Sequence, residues 1–178
     1  MKDGLKVAMF TDTFKPQVNG VVVSIDSFSK ELVRMGHDVS VFCPGREYSS
    51  QKINGYRVYG TRWFKFGSYS GYRVALPSLK MFAVMRRIDP DVIHIHTPYI
   101  GVLGLFFAKL LRKPVVMTYH TMLSEYYSYL PGSRVLCGFY KKAIGVFTKF
   151  FFNRADLVIA PSSDTKRFLV CNGIYKPI

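Results

Sequence analysis

The sequence predicts an α/β fold, a doubly wound, Rossmann-like parallel sheet flanked by helices on both faces. Three observations predict it. Short apolar runs alternate with amphipathic stretches along the whole chain, the pattern of strands separated by helices. Strands separated in this way need crossover connections, and crossovers lead to a parallel sheet covered on both faces. The 178 residues, 49% of them hydrophobic, show no repeat and no low-complexity linker, which suits one core and one domain, residues 1–178.

The elements follow in order. Leu5 to Phe10 is a strand. Gly20 to Met35 is a helix, because Val21, Ile25, Phe28, Leu32 and Met35 recur at helical spacing and Gly36 marks its end. DVSVFC, from Asp38, is a second strand stopped by Pro44-Gly45. The polar stretch Arg46 to Asn54 leads to INGYRVYGTRWF, a third strand rich in β-branched and aromatic residues. The loop GSYSGY brings the chain to Pro77, a good first-turn residue for a helix running to Ile88. DVIHIHTP, from Asp91, is a fourth strand, Tyr99 to Arg112 a helix, and PVVMTYHT, from Pro114, a fifth strand. A helix from Arg134 to Asn153, a sixth strand DLVIAPS from Asp156 and a helix from Asp164 to Val170 complete the series. Ligands of such a sheet bind outside the carboxyl ends of the strands, where the strand order reverses. A further strand is expected after VCNGIYKPI, so the chain reads as one half of something larger.

Charge narrows the partners. Twenty-five Lys and Arg against 11 Asp and Glu give a net charge of +14, which attracts something anionic: nucleotide, nucleic acid or acidic lipid. Cys43, Cys137 and Cys171 have no CxxC spacing and are odd in number, suggesting neither a disulfide framework nor a zinc site, and the protein reads as cytoplasmic. Met1 to Phe10 has no signal-peptide character. The most apolar run, YIGVLGLFFAKLL, is shorter than the roughly 20 residues that cross a bilayer and contains Lys109.

TDTFKPQVNGVVVS, Thr11 to Ser24, stands where a strand hands over to a helix. It lacks the G-x-G-x-x-G of a dinucleotide site, no acidic residue ends the second strand, and no G-x-x-x-x-G-K-[ST] occurs. Gly20 alone at a helix start still lets a phosphate approach unpaired backbone N–H groups, while Asn19 suits a cap. Both readings stand. His94 and His96 share a strand face, and His120 ends the next strand. A metal would want a third ligand and a second shell, and only Asp91 is near, at the far end of the strand. No metal is expected; His94 reads as packed core, His96 and His120 as strand-end residues.

In the helix from Arg134, the cations Arg134, Lys141, Lys142 and Lys149 fall on one side and Leu136, Phe139, Ala143, Val146 and Phe150 on the other. That is either a solvated basic face over a core stripe or a segment lying on an anionic membrane. The arginines and aromatics from Tyr56 to Arg73 add a second basic patch. Nucleic acid is disfavoured, since no recognition-module motif is present.

FTDTFKPQVNGVVVS, GYRVALP, DPDVIHIHTP, PVVMTYHT and ADLVIAPS together resemble, in order and spacing, the amino-terminal half of GT-B glycosyltransferases of the retaining family 4. The resemblance spans the chain and implies an acceptor-side domain whose carboxyl-terminal, donor-binding partner lies outside it. It implies that Asn19-Gly20 approaches the donor diphosphate, that Asp12 holds a sugar, that His120, with Thr121 beside it, contacts the transferred sugar, and that His96 and Arg73 border the acceptor cleft. The implied reaction moves a hexose from a nucleoside-diphosphate sugar to an acceptor hydroxyl with retention and no bound metal or cofactor, and leaves this half inactive alone. The GYRVALP segment and the first loop resemble the branch that glycosylates membrane lipids, implying an enzyme peripheral on the inner face of the cell membrane, where each near-surface cation contributes about 1 kcal/mol. The competing class is a non-catalytic basic module that docks on membrane or nucleic acid.

Overall fold

The computed structural model describes residues 4–45, 50–65, 73–76, 78–120 and 134–178, with backbone alone for 64–65, 73–75 and 134–141. Its strands are β1 (Lys6–Phe10), β2 (Asp38–Pro44), β3 (Ser50–Ile53), β4 (Tyr56–Thr61), β5 (Trp63–Lys65), β6 (Arg73–Ala75), β7 (Val92–Ile95), β8 (Val115–Thr118) and β9 (Leu157–Ile159). Its helices are α1 (Gly20–Arg34), α2 (Leu79–Ile88), α3 (Pro98–Leu111), α4 (Arg134–Phe152) and α5 (Ser163–Cys171). The main sheet runs β3-β4-β2-β1-β7-β8-β9, and the pairs β1–β2, β1–β7 and β2–β4 are parallel. The chain leaves β1 toward β4 and returns to β7 on the other side of β1, so the order reverses between β1 and β7. That is the crevice where α/β sheets bind ligands. The chain divides into two compact units, Met1–Val116 and Met117–Ile178.

The expected third strand is a hairpin and a separate strand. Asn54 and Gly55 both have positive φ, 47° and 91°, the Asn-Gly turn whose twist suits a two-residue hairpin. It folds Ser50–Ile53, expected as part of a polar stretch, antiparallel onto β4. The result is a short polar strand at the sheet edge, where unpaired backbone invites unwanted pairing and polar side chains discourage it. β5 then pairs antiparallel with β6 in a two-stranded sheet, so the motif GYRVALP contributes a strand. α2 begins at Leu79, with Ser78 accepting the Met81 N–H at 3.1 Å; Pro77, the expected first residue, lies outside the described residues.

The core of the first unit has two sides. On one, Val7, Met9, Val39, Val41, Tyr56 and Val58 pack with Phe14 and Ile25. The expected face of α1 meets the core at Ile25, with Val21 and Leu32 packed against it, while Val22 and Ser29 are also buried and Phe28 and Met35 are exposed; the Ser29 hydroxyl lies on the Met9 sulfur at 3.5 Å. On the other, Phe10 stacks on Phe42 with centroids 5.0 Å apart, and Phe42 on Tyr59 at 5.1 Å. α3 lies close above Phe10, because a Cβ on Gly104 would meet Ile95 at 3.0 Å and Phe10 at 3.3 Å. Each buried aromatic contributes about 1.5–3 kcal/mol against exposure.

In the second unit, Phe151 and Phe152 of α4, Ala155, Val158, Leu169 and Ile174 are buried. Asn153 ties its two ends: its amide donates to the Gly173 carbonyl and its carbonyl accepts the Tyr175 N–H, both at 3.0 Å.

Candidate functional site

The loop after β1 is a web of polar bonds. The Thr11 hydroxyl donates to the Thr13 carbonyl at 2.8 Å, and the Thr13 hydroxyl donates to the Gln17 side chain at 2.5 Å while accepting the Asn19 amide at 2.9 Å. The other face of Asn19 caps α1, accepting the Val22 N–H at 3.0 Å. Asn19 is therefore a cap, as its residue type allows. Gly20 opens the helix, and neither conformation nor packing requires a glycine there: a Cβ would meet nothing within 4 Å. The first-turn N–H groups have no acceptor within a helix, and the dipole favours an anion before them.

Lys15 fastens the same loop to α1. Its ammonium lies 2.7 Å from Asp26, which also holds Lys30 at 2.8 Å and the Tyr56 hydroxyl at 2.5 Å. Burial works against the Asp26 charge, but the bonds from Lys15, Lys30 and Tyr56 together hold its carboxyl well below the usual range. Burial and the Asp26 bond push the Tyr56 hydroxyl upward. Sequence reasoning missed this trio. Only the i,i+4 pair Asp26–Lys30 was legible in it.

Asp12 spends its carboxylate inside the protein. One oxygen accepts the Ile100 N–H at 2.7 Å and the other the Tyr99 N–H at 3.1 Å, while the Asp12 N–H donates to the Thr97 hydroxyl at 2.6 Å. Thr97, the N-cap residue of α3, makes no side-chain cap bond of its own. Asp12 caps α3 from across the sheet, joining the ends of β1 and β7 at the reversal of strand order. It is 7% exposed, and burial pushes its carboxyl up to about 6 against the bonds from Ile100, Thr97 and Tyr99. His96 also ends β7, its N–H donating to the Phe10 carbonyl at 2.9 Å. Its ring is 3% exposed, 4.0 Å from that of His94 and 6.4 Å from that of Phe28. The structure thus brings Asp12, Asn19, Gly20 and His96 to one crevice, with Asp12 and Asn19 engaged in its framework and His96 packed beneath. Arg73 opens β6, with only its backbone described.

His120 belongs to the second unit, two residues past β8. Neighbouring Tyr119 is buried, its N–H on the Ile159 carbonyl at 2.9 Å and its ring against Phe152 and Phe168. His120 is half-buried, and burial pushes its imidazole down to about 4. It is neutral at pH 7. Thr121 lies outside the described residues, as do the side chains of Arg134 and Lys141 on α4.

On α4 the core-stripe reading is corrected at its described residues, the side chains of Leu136 and Phe139 lying outside them. Ala143, Val146 and Phe150 are exposed, Val146 by 62% and Phe150 by 57%. Among its described side chains the buried ones are Thr148, Phe151 and Phe152, which lie around the helix from that stripe at about 100° per residue. Lys142 and Lys149 are exposed as expected, so cations and apolar side chains share one solvent-facing arc. Among the described residues no group of three His, Cys, Asp or Glu side chains is placed to hold a metal ion, and no helix is long and apolar enough to cross a membrane.

Comparison with known proteins agrees with the sheet. Residues 18–178 match the model of Glycosyltransferase Family 4. The chain is 29% identical over 176 residues to alpha-monoglucosyldiacylglycerol synthase of Streptococcus pneumoniae, covering 93% of this chain and 37% of that protein. It is 30% identical over 178 residues to the GDP-mannose-dependent alpha-mannosyltransferase of Mycobacterium tuberculosis, covering 96% of this chain and 45% of the other. The chain thus spans less than half the length of these relatives. The structure of Anabaena HepE in complex with UDP-glucose superposes with a TM-score of 0.62 at 16% identity, over 95% of this chain and 41% of that one, a likeness of fold.

Proposed function

Because this chain belongs to Glycosyltransferase Family 4, we propose that it is the acceptor-side half of a retaining GT-B enzyme that moves a hexose from a nucleoside-diphosphate sugar to a hydroxyl of a membrane lipid. The observation that carries the reading is Gly20. Its first-turn position has room for a side chain that the sequence declines to place there, and the helix end behind it suits a diphosphate. Asn19 and Asp12 act by position, the one capping α1 and the other fixing the α3 end beside it. His120, held neutral by burial, serves as a hydrogen-bond partner for a sugar hydroxyl and not as a countercharge to phosphate. The new bond forms between the acceptor oxygen and the anomeric carbon as the bond to the diphosphate breaks. The proposal invokes neither a metal nor a cofactor.

The lipid acceptor draws on the relative named as a glucosyldiacylglycerol synthase and on the charge of +14, which favours a peripheral position on an anionic membrane surface. On this reading the remaining contacts to the donor come from a second domain outside this chain, so the chain alone is expected to be inert.

The test uses the full-length protein with labelled nucleotide sugars and an acidic lipid extract, beside Gly20→Ala and His120→Ala. Label should enter the lipid phase and fall at least about tenfold in both variants, with the Gly20→Ala fold as stable as the parent. Label found only in water-soluble products overturns the lipid acceptor, and transfer by the 178-residue chain alone overturns the division of labour.

A further inference from the structure

We infer that the outer arc of α4 is a membrane-inserting ridge, in which Val146, Phe147 and Phe150 enter the headgroup boundary of an anionic bilayer and the surrounding cations hold it there. Lys142, Ala143, Val146, Phe147 and Phe150 border one open, largely apolar surface. Phe147 is partly exposed beside Val146 and Phe150, and its ring stacks on buried Phe151 at 5.6 Å, so the ridge stands on the core of the second unit. At its end the Arg154 guanidinium lies 3.3 Å from the Phe150 ring centroid and donates to the Phe150 carbonyl at 3.0 Å. Lys149 runs beside Gly173, whose Cβ would come within 3.0 Å of its aliphatic stem.

Charge selects the occupant. From Arg134 to Ala155 the sequence has five Lys and Arg and no Asp or Glu. A protein partner would need a matching acidic surface with an apolar centre, and nucleic acid would leave aliphatic Val146 unused. An anionic bilayer uses both parts, cations at the phosphates and apolar side chains about 5–10 Å into the acyl boundary. Lys stems can lie along the apolar surface while their heads stay in water. The inference shares only membrane contact with the proposed function, and its assay contains no donor, so transfer can fail while docking stands.

The test is co-sedimentation of this chain with vesicles of phosphatidylcholine alone or mixed equally with phosphatidylglycerol. Binding should favour the anionic vesicles by about tenfold or more, and the double variant Val146→Ser with Phe150→Ser should lose about tenfold of it. The unfolding midpoint of that variant should match the parent, because both side chains are exposed. Phe150→Trp should shift its fluorescence to the blue on anionic vesicles. Wild-type binding by the serine variant overturns insertion, as does preference for a single-stranded oligonucleotide with no vesicle binding.

Discussion

At Thr11 and Asp12 the chain buries polar side chains and bonds them, and on to Asn19 it bonds polar side chains nearer the surface. Between Lys142 and Arg154 it leaves apolar side chains in solvent. Thr11 and Asp12 are nearly inaccessible, a costly arrangement unless each polar group finds a partner, and the first turn of α3 supplies one for each carboxylate oxygen of Asp12. Val146 and Phe150 forgo burial that would contribute about 1.5–3 kcal/mol for a side chain of their kind. Folding alone explains neither choice. The loop bonds its polar groups within the fold, and the helix leaves apolar side chains in solvent, as the inferred membrane contact requires.

Substitutions can break or sharpen this contrast. The largest effect is expected on α4 itself, where Phe151→Ala should cost about 3–5 kcal/mol by urea denaturation, the usual loss for a buried phenylalanine. Equal tolerance of Phe151→Ala and Phe150→Ala would erase the distinction between the two faces. In the loop, Asp12→Ala leaves two α3 N–H groups unbonded and should cost about 2 kcal/mol, with Asp12→Asn costing less because it keeps one acceptor. A neutral Asp12→Ala would mean that the cap across the sheet contributes nothing.

Acid sharpens the comparison further. Asp12 holds its proton in the fold up to about pH 6, against 3.8 for the ordinary carboxyl, so its stabilising contribution is present at low pH and is lost as pH rises through that interval. His120 works the other way: its folded value of about 4 lies below 6.5, so the unfolded chain binds more protons and stability is lost as pH falls between them. Asp12→Asn should therefore steepen the rise of stability with pH from about 4 to about 6, and His120→Gln should turn it toward a fall. Denaturation curves across that range decide, and parallel curves for all three proteins would refute both assignments. The smallest effect is expected for Phe150→Ala, within about 1 kcal/mol, the scale of its exposed contact with Arg154.

Much of the fold was legible because strand and helix periods differ. β1, β2, β7, β8 and the five helices stand where alternation put them, and the crevice between β1 and β7 follows from parallel topology. The hairpin at Asn54-Gly55 was written in the sequence as a two-residue turn but hidden inside a run of strand-forming residues. On α4 the sequence left two readings open, a core stripe or a membrane-facing segment, and periodicity alone did not decide between them. A helical wheel ranks faces by hydrophobicity, whereas topology decides which face meets the sheet, and here Thr148 is buried while Val146 is not. At the site, residue type gave Asn19 as a cap, but the Asp12 bonds join residues more than eighty positions apart, beyond the reach of local pattern.

The anchoring of the Thr11–Asn19 loop has a calorimetric consequence. Lys15 on Asp26, Asn19 on Val22 and Asp12 on α3 settle at folding the backbone freedom that a slack loop would surrender on binding, about 1–2 kcal/mol per residue. If the proposed function holds, a diphosphate at Gly20 would meet a preformed receptor. Its binding should carry a small heat-capacity change, set by the surface the ligand itself covers and not by loop ordering.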